Sequence, residues 1–149
     1  MKEDEFFIQV SHALSGCPLV EQELKLYITS AFQLIKKCLG HRLVFNMTGE
    51  KCENYSLERL IGAFKDLNDN TELIKRLNKF RDERNFLSHK GISHCLDFMG
   101  DLHHSKAEEF TQRLENIKHE ANELTTAIHE EAGKHRGYLW FEDIVKKES

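Results

Sequence analysis

Residues 71–91 run Thr71-Glu72-Leu73-Ile74-Lys75-Arg76-Leu77-Asn78-Lys79-Phe80-Arg81-Asp82-Glu83-Arg84-Asn85-Phe86-Leu87-Ser88-His89-Lys90-Gly91. At about 100° per residue, Leu73, Leu77, Phe80 and Leu87 fall within about 60° of Arg84, which predicts an amphipathic helix with an arginine in the middle of its apolar stripe. Asn70 or Thr71 is placed to cap its start, and Gly91 to stop it just after Lys90. An arginine is almost never fully buried without a partner. Arg84 is therefore expected either to pair with a carboxylate in the core or to face a groove made with another helix or subunit. Ser88, Arg81, Asn85 and His89 form a continuous polar edge beside it, roughly 40° to 140° round the helix.

The same three-and-four spacing extends in both directions. Residues 3–13 suggest a short first helix around Phe6, Phe7 and Val10, ending in a turn at Ser15-Gly16-Cys17. Pro18, the single proline of the chain, then opens a second helix to Leu39, with Leu24, Tyr27, Ile28, Ala31, Leu34, Ile35 and Cys38 on one face and Gly40 as its stop. Residues 40–55 lose the helical period and are expected to be a loop. Ser56 caps a third helix carrying Leu57, Leu60, Ile61, Phe64 and Leu67, which Asn68-Asp69-Asn70 ends. After a connection from Ile92 to His104, a long helix is expected from about Ser105 to Ala132, with Ala107, Phe110, Leu114, Ile117, Ala121, Leu124 and Ile128 in one seam. The tail, Gly137-Tyr138-Leu139-Trp140-Phe141 with Ile144 and Val145, is apolar enough to pack back or to meet a partner. The fold class this predicts is all-α, an up-and-down bundle of about five helices in one domain spanning residues 1–149.

With 149 residues, 40% hydrophobic and 31% charged, the chain is long enough for one core without disulfide or metal staples. Its apolar runs, such as Leu43-Val44-Phe45, fall far short of the ~20 residues that cross a bilayer, so no membrane association is expected. The charged start Met1-Lys2-Glu3-Asp4-Glu5 leads into no secretory h-region, and a cytoplasmic location is expected. Cys17, Cys38, Cys52 and Cys95 form no C-x-x-C pair and should be reduced, mostly buried thiols. Nine histidines raise the question of a metal, but His129-Glu130 is not completed to H-E-x-x-H, because position 133 is Gly133. No metal is expected, and with no Gly-rich phosphate cradle no nucleotide cofactor either. His103-His104 suits a solvated connector. Cys95 near His94 suits a structural thiol, and Trp140 and Phe141 suit packing more than base stacking.

The net charge of -4 gives no global attraction for nucleic acid, so polyanion binding would need a local basic concentration. Residues 75–90 hold six bases (Lys75, Arg76, Lys79, Arg81, Arg84, Lys90) against Asp82 and Glu83, a local excess of four. Guanidinium forks hold phosphate oxygens bidentately, and an imidazole passes protons near neutral pH. Those two services suffice for attack of a ribose 2′-hydroxyl on its own phosphate. A helix ending at Gly91 would also place His89 at the negative end of the dipole, favouring the imidazolium.

Arg84-Asn85-Phe86-Leu87-Ser88-His89 resembles the R-x4-6-H motif of the HEPN (higher eukaryotes and prokaryotes nucleotide-binding) superfamily, whose residue after the arginine is typically polar; here it is Asn85. The helix pair from Ser56 to His89 resembles the surroundings of that motif in bacterial members. The resemblance implies a helical bundle that dimerises with two motifs facing across a cleft, in many members a metal-independent endoribonuclease of toxin or phage-defence systems. It assigns Arg84, Asn85 and His89 to the catalytic site, with RNA as substrate and an antitoxin or regulatory protein as a further partner. The helical edge and local charge add Arg81, Ser88 and Lys90 as RNA-binding residues. The competing expectation is a non-catalytic module binding nucleic acid, nucleotide or protein, which pairing of Arg84 to a carboxylate within the apolar stripe would favour.

Overall fold

The computed structural model describes the backbone of residues 3–97 and 104–148 and the side chains of residues 5, 7–90 and 108–140. Five helices follow in order: α1 (Glu3–Leu14), α2 (Cys17–Leu39), α3 (Leu57–Leu67), α4 (Thr71–Asp97) and α5 (His104–Glu148), with a 3-10 turn at Gly49–Cys52 between α2 and α3. No strand occurs among the described residues. The architecture is an all-α bundle of five helices, with α2 and α5 parallel rather than alternating strictly up and down.

Local chemistry sets most of the boundaries. Pro18 lies in the first turn of α2, where its missing N–H is not needed. Gly40 ends α2 at φ +56°, a backbone region costly for residues with a Cβ, while its N–H donates to the Lys36 carbonyl at 3.1 Å. Ser56 caps α3 by accepting from the Arg59 N–H at 3.2 Å. Asn70 caps α4 by accepting from the Leu73 N–H at 3.2 Å, and Asn68 shapes the turn before it by accepting from the Asn70 N–H at 2.7 Å.

Two expected boundaries do not hold. Gly91 does not stop α4, which continues to Asp97, so the connector expected from Ile92 begins later; residues 98–103, including His103, lie outside the described residues. A helical glycine forfeits only about 1 kcal/mol relative to alanine, which neighbouring turns can absorb. Nor does the last helix end at Ala132. It runs 45 residues to Glu148, and the expected tail is its final turns rather than a segment folded back. Tyr138 and Trp140 are 64% and 69% exposed. The side chains of Phe6, Cys95, Phe141, Ile144 and Val145 lie outside the described residues.

The buried seams pack into one core. Leu24, Tyr27, Ile28 and Ala31 of α2, Leu57, Leu60, Ile61 and Phe64 of α3, and Leu73, Leu77, Phe80 and Leu87 of α4 meet Phe110, Leu114, Ile117, Ala121, Leu124 and Ile128 of α5. Cys38, expected on the buried face of α2, is exposed, whereas Cys17 and Cys52 are buried.

Side-chain contacts fix the helix directions. Gly16 faces Ala121 so closely that a Cβ there would lie 3.0 Å from the alanine Cβ. Farther along, Ser30 meets His135, and Lys37 donates to the Leu139 carbonyl. The two series climb together, so α2 and α5 are parallel. Arg76 binds Glu120 and Glu123 while Glu83 binds Arg113, so α4 runs antiparallel to both. α5 is thus a spine that α2 covers along one half, while α1 and the later turns of α4 cover the other.

Candidate functional site

The apolar stripe of α4 places Arg84 at the level of the first turns of α2. Cys17 and Glu21, four residues apart, share one face of α2 there. Arg84 Nη1 donates to Glu21 Oε1 at 3.1 Å, and its Nη2 donates to Asn85 Oδ1 at 3.2 Å. Both members of the ion pair are about a quarter exposed, 28% for Arg84 and 27% for Glu21. Of the two placements expected for Arg84, the structure takes the carboxylate pair, at the margin of the core rather than within it. The Cys17 thiol sits close enough to feel both charges. Burial pushes its pKa up to about 11, with Arg84 pulling it down and Glu21 raising it, so the thiol stays protonated near neutral pH.

The other motif residues follow from helix geometry. Ser88 lies four residues beyond Arg84, and His89 four beyond Asn85, so each pair is adjacent on the helix surface. Asn85, His89 and Lys90 are exposed, and Ser88 is half-buried. With α4 continuing to Asp97, His89 stands in the body of the helix, two turns from its end. The helix end expected beside it lies farther on, so His89 is not in the last turn, where the dipole acts. Leu87 points the other way and is fully buried, which fixes the rotation of the motif. Phe86 lies under the Arg113 guanidinium, 3.9 Å from ring centroid to Cζ, and Arg113 grips Glu83 through Nε and Nη2 at 2.7 Å each. These contacts hold the motif turn against α5.

The basic concentration counted along residues 75–90 is largely neutralised in space. Lys75 pairs with Glu72, Arg76 with Glu120 and Glu123, Arg81 with Asp82 and Arg84 with Glu21. Arg81, expected to position phosphate, also donates to Asn78 Oδ1 at 3.1 Å. The acids on α2 and α5 that do this are remote in the chain. An arginine centred in an apolar stripe does announce a partner, but no local pattern distinguishes Glu21 from the other acids of the chain.

A second polar cluster joins the α3–α4 turn to α5. Glu131 accepts from Asn68 and Asn70 at 3.1 Å each and from Lys134, while Asn68 also donates to the Tyr27 hydroxyl, which in turn donates to the Leu67 carbonyl. Burial raises the Glu131 carboxyl, but the Asn68, Asn70 and Lys134 contacts together outweigh it and hold the group below the usual range. His135 stacks on Tyr27 at 4.5 Å between ring centroids, and its Nδ1 lies 2.9 Å from Ser30 Oγ. Burial lowers the His135 pKa. The Asn68, Asn70, Tyr27 and Ser30 contacts tie α2, α5 and the α3–α4 turn together, while Lys134 pairs with Glu131 within α5.

Among the described residues no group of three or more His, Cys, Asp or Glu could hold a metal ion, and no helix is long and apolar enough to cross a membrane. The chain matches no family model, and neither a curated protein nor a solved structure matches it.

Proposed function

We propose that the protein is a metal-independent endoribonuclease of HEPN type, working in the cytoplasm as a toxin or phage-defence effector and as a homodimer with two motifs across one cleft. His89 is the acid–base group, Arg84 stabilises charge on the phosphorane, and Asn85 orients Arg84. Arg81, Ser88 and Lys90 contact RNA, and an antitoxin or regulatory protein restrains the activity. The 2′-hydroxyl attacks the adjacent phosphorus, the 5′-oxygen leaves with a proton, and the products carry 2′,3′-cyclic phosphate and 5′-hydroxyl ends. The observation that carries this reading is the Arg84 guanidinium, held from two sides at the edge of the core, with Asn85 and His89 exposed on the adjoining helix surface.

The Arg84–Glu21 pair also favours a second reading, a non-catalytic HEPN-like module that binds nucleic acid, nucleotide or a protein partner, in which the arginine is a structural ion pair. One experiment separates the two. Purified protein is incubated with total cellular RNA and tRNA in EDTA, and the ends of any fragments are identified. Cleavage leaving cyclic phosphate, with DNA intact, supports the enzyme; intact RNA across both pools replaces it with the binding module.

A further inference from the structure

The ion pair between α2 and α4 has a geometry that a purely structural pair does not require. Glu21 takes a single N–H of Arg84, from Nη1, and Asn85 takes one from Nη2. A guanidinium carries five N–H donors in a rigid planar fork, so these two bonds leave three for another acceptor. Arg113 in the same bundle is the contrast. Glu83 grips it through Nε and Nη2 at 2.7 Å while Phe86 covers its face. Arg84 keeps three N–H donors uncommitted on a side chain that still reaches solvent.

Glu21 itself is well supported. It is one turn after Cys17, which is buried in the core together with Val20 and Leu24 of the same helix, so the backbone carrying the carboxylate is fixed by packing on both sides of it. A carboxylate on a packed helix, bound to one terminal nitrogen of a long and otherwise flexible side chain, removes rotamer freedom that a phosphate would otherwise have to remove on binding.

We propose that Glu21 is a positioning residue for Arg84, setting the plane of the guanidinium so that its remaining N–H donors receive the scissile phosphate. The proposal rests on the endoribonuclease reading and adds to it a residue outside the motif. Glu21 touches no reacting atom; it acts through Arg84, and Glu21 and Arg84 behave as one unit.

The test compares wild type with Glu21→Ala, Glu21→Gln, Arg84→Ala and the Glu21→Ala/Arg84→Ala double variant. Two readouts are taken: steady-state cleavage of a short single-stranded RNA, and anisotropy-detected binding of the same RNA with 2′-deoxyribose at the cleavage position. Glu21→Ala is expected to lower kcat about tenfold with KM changed less than about threefold, in line with the loss from a misplaced catalytic group. Glu21→Gln, whose amide oxygen still accepts from Nη1, is expected to recover most of the rate, which also guards against an alanine variant that folds poorly. In the Arg84→Ala background, Glu21→Ala is expected to change nothing further.

Cleavage by the wild type with Glu21→Ala and Glu21→Gln at full rate, or faster with tighter RNA binding, overturns the positioning role alone. Additive losses in the double variant do the same. If the wild type binds RNA without cutting it, the endoribonuclease reading fails, and Glu21 retains its role only if Glu21→Ala weakens binding about tenfold in the presence of Arg84 and not in its absence. A wild type that neither cuts nor binds RNA overturns both.

Discussion

Arg84 and Leu87 are three residues apart on α4, and the difference between them separates folding from chemistry. Leu87 is fully buried in the core, so Leu87→Ala is expected to cost about 2–5 kcal/mol, read as a lower denaturant midpoint. Arg84 and Glu21 are partly solvated, and a pair of that kind contributes about 0–1 kcal/mol. Arg84→Ala should therefore leave the helical circular dichroism and most of the stability intact. Under the endoribonuclease reading, Arg84→Ala and His89→Ala should each slow cleavage by about two orders of magnitude or more. Loss of activity in step with loss of fold would put Arg84 back among structural ion pairs. Arg81→Ala should do less to RNA binding than its charge suggests, because Asp82 and Asn78 already hold it. A salt series should show weaker binding with a flattened slope, the change being less than the roughly one unit expected of an arginine whose whole charge meets phosphate.

At the scale of elements, the join between α2 and α5 is sensitive to pH through His135. The imidazole lies between Tyr27 and Ser30, and burial lowers its pKa from the ordinary 6.5, with Glu131 pulling it up and Lys134 down. The unfolded chain therefore takes up this proton before the folded chain does. Stability contributed here is complete above about pH 6.5 and declines as the pH falls towards the folded pKa, since ∂ΔG/∂pH is positive wherever the unfolded state binds more protons. Urea midpoints measured from about pH 7.5 down to about pH 5.5 should fall for the wild type, and His135→Gln should flatten that decline. An unchanged slope in the variant would show that other groups carry it. The seam of α5 that makes this join was legible in the sequence, because Phe110, Leu114, Ile117, Ala121, Leu124 and Ile128 repeat at helical spacing and all are buried. The ends of α4 and α5 were not: Gly91 looked like a stop and the tail from Gly137 like a separate segment, yet one glycine costs too little to end a helix by itself. Polar partners were the least legible. Asn68 and Asn70 announced a turn and a cap, but their bonds to Glu131 join positions more than sixty residues apart, and the same holds for Glu21 with Arg84.

At the scale of the whole molecule, α5 decides the shape. Its 45 residues span roughly 67 Å, against roughly 34 Å for the 23 residues of α2, so it reaches well past the end of α2. Beyond the Lys37–Leu139 contact its last turns extend past the end of α2, with Tyr138 and Trp140 exposed. Towards the opposite end, Phe7 and Ile8 of α1 and Leu19 of α2 are exposed as well. A monomer could have placed polar residues at all of these positions without disturbing the core. Large apolar groups retained at the surface are the pattern of a chain that buries them against a partner, and the second copy of the proposed dimer is such a partner. A homodimer is therefore expected, and light scattering at micromolar concentration should give about twice the 17.5 kDa of one chain. Phe7→Glu or Leu19→Glu should shift that mass towards the monomer while leaving helical content unchanged, because neither side chain belongs to the buried core. If the dimer forms through the motif face, the same substitutions should remove cleavage along with the dimer. If they leave a dimer intact and Trp140→Glu breaks it, the association runs through the end of α5, and the two motifs do not share a cleft. A wild-type chain that stays monomeric with or without RNA removes the shared cleft altogether, and leaves Arg84, Asn85 and His89 to act, or merely to bind, within a single bundle.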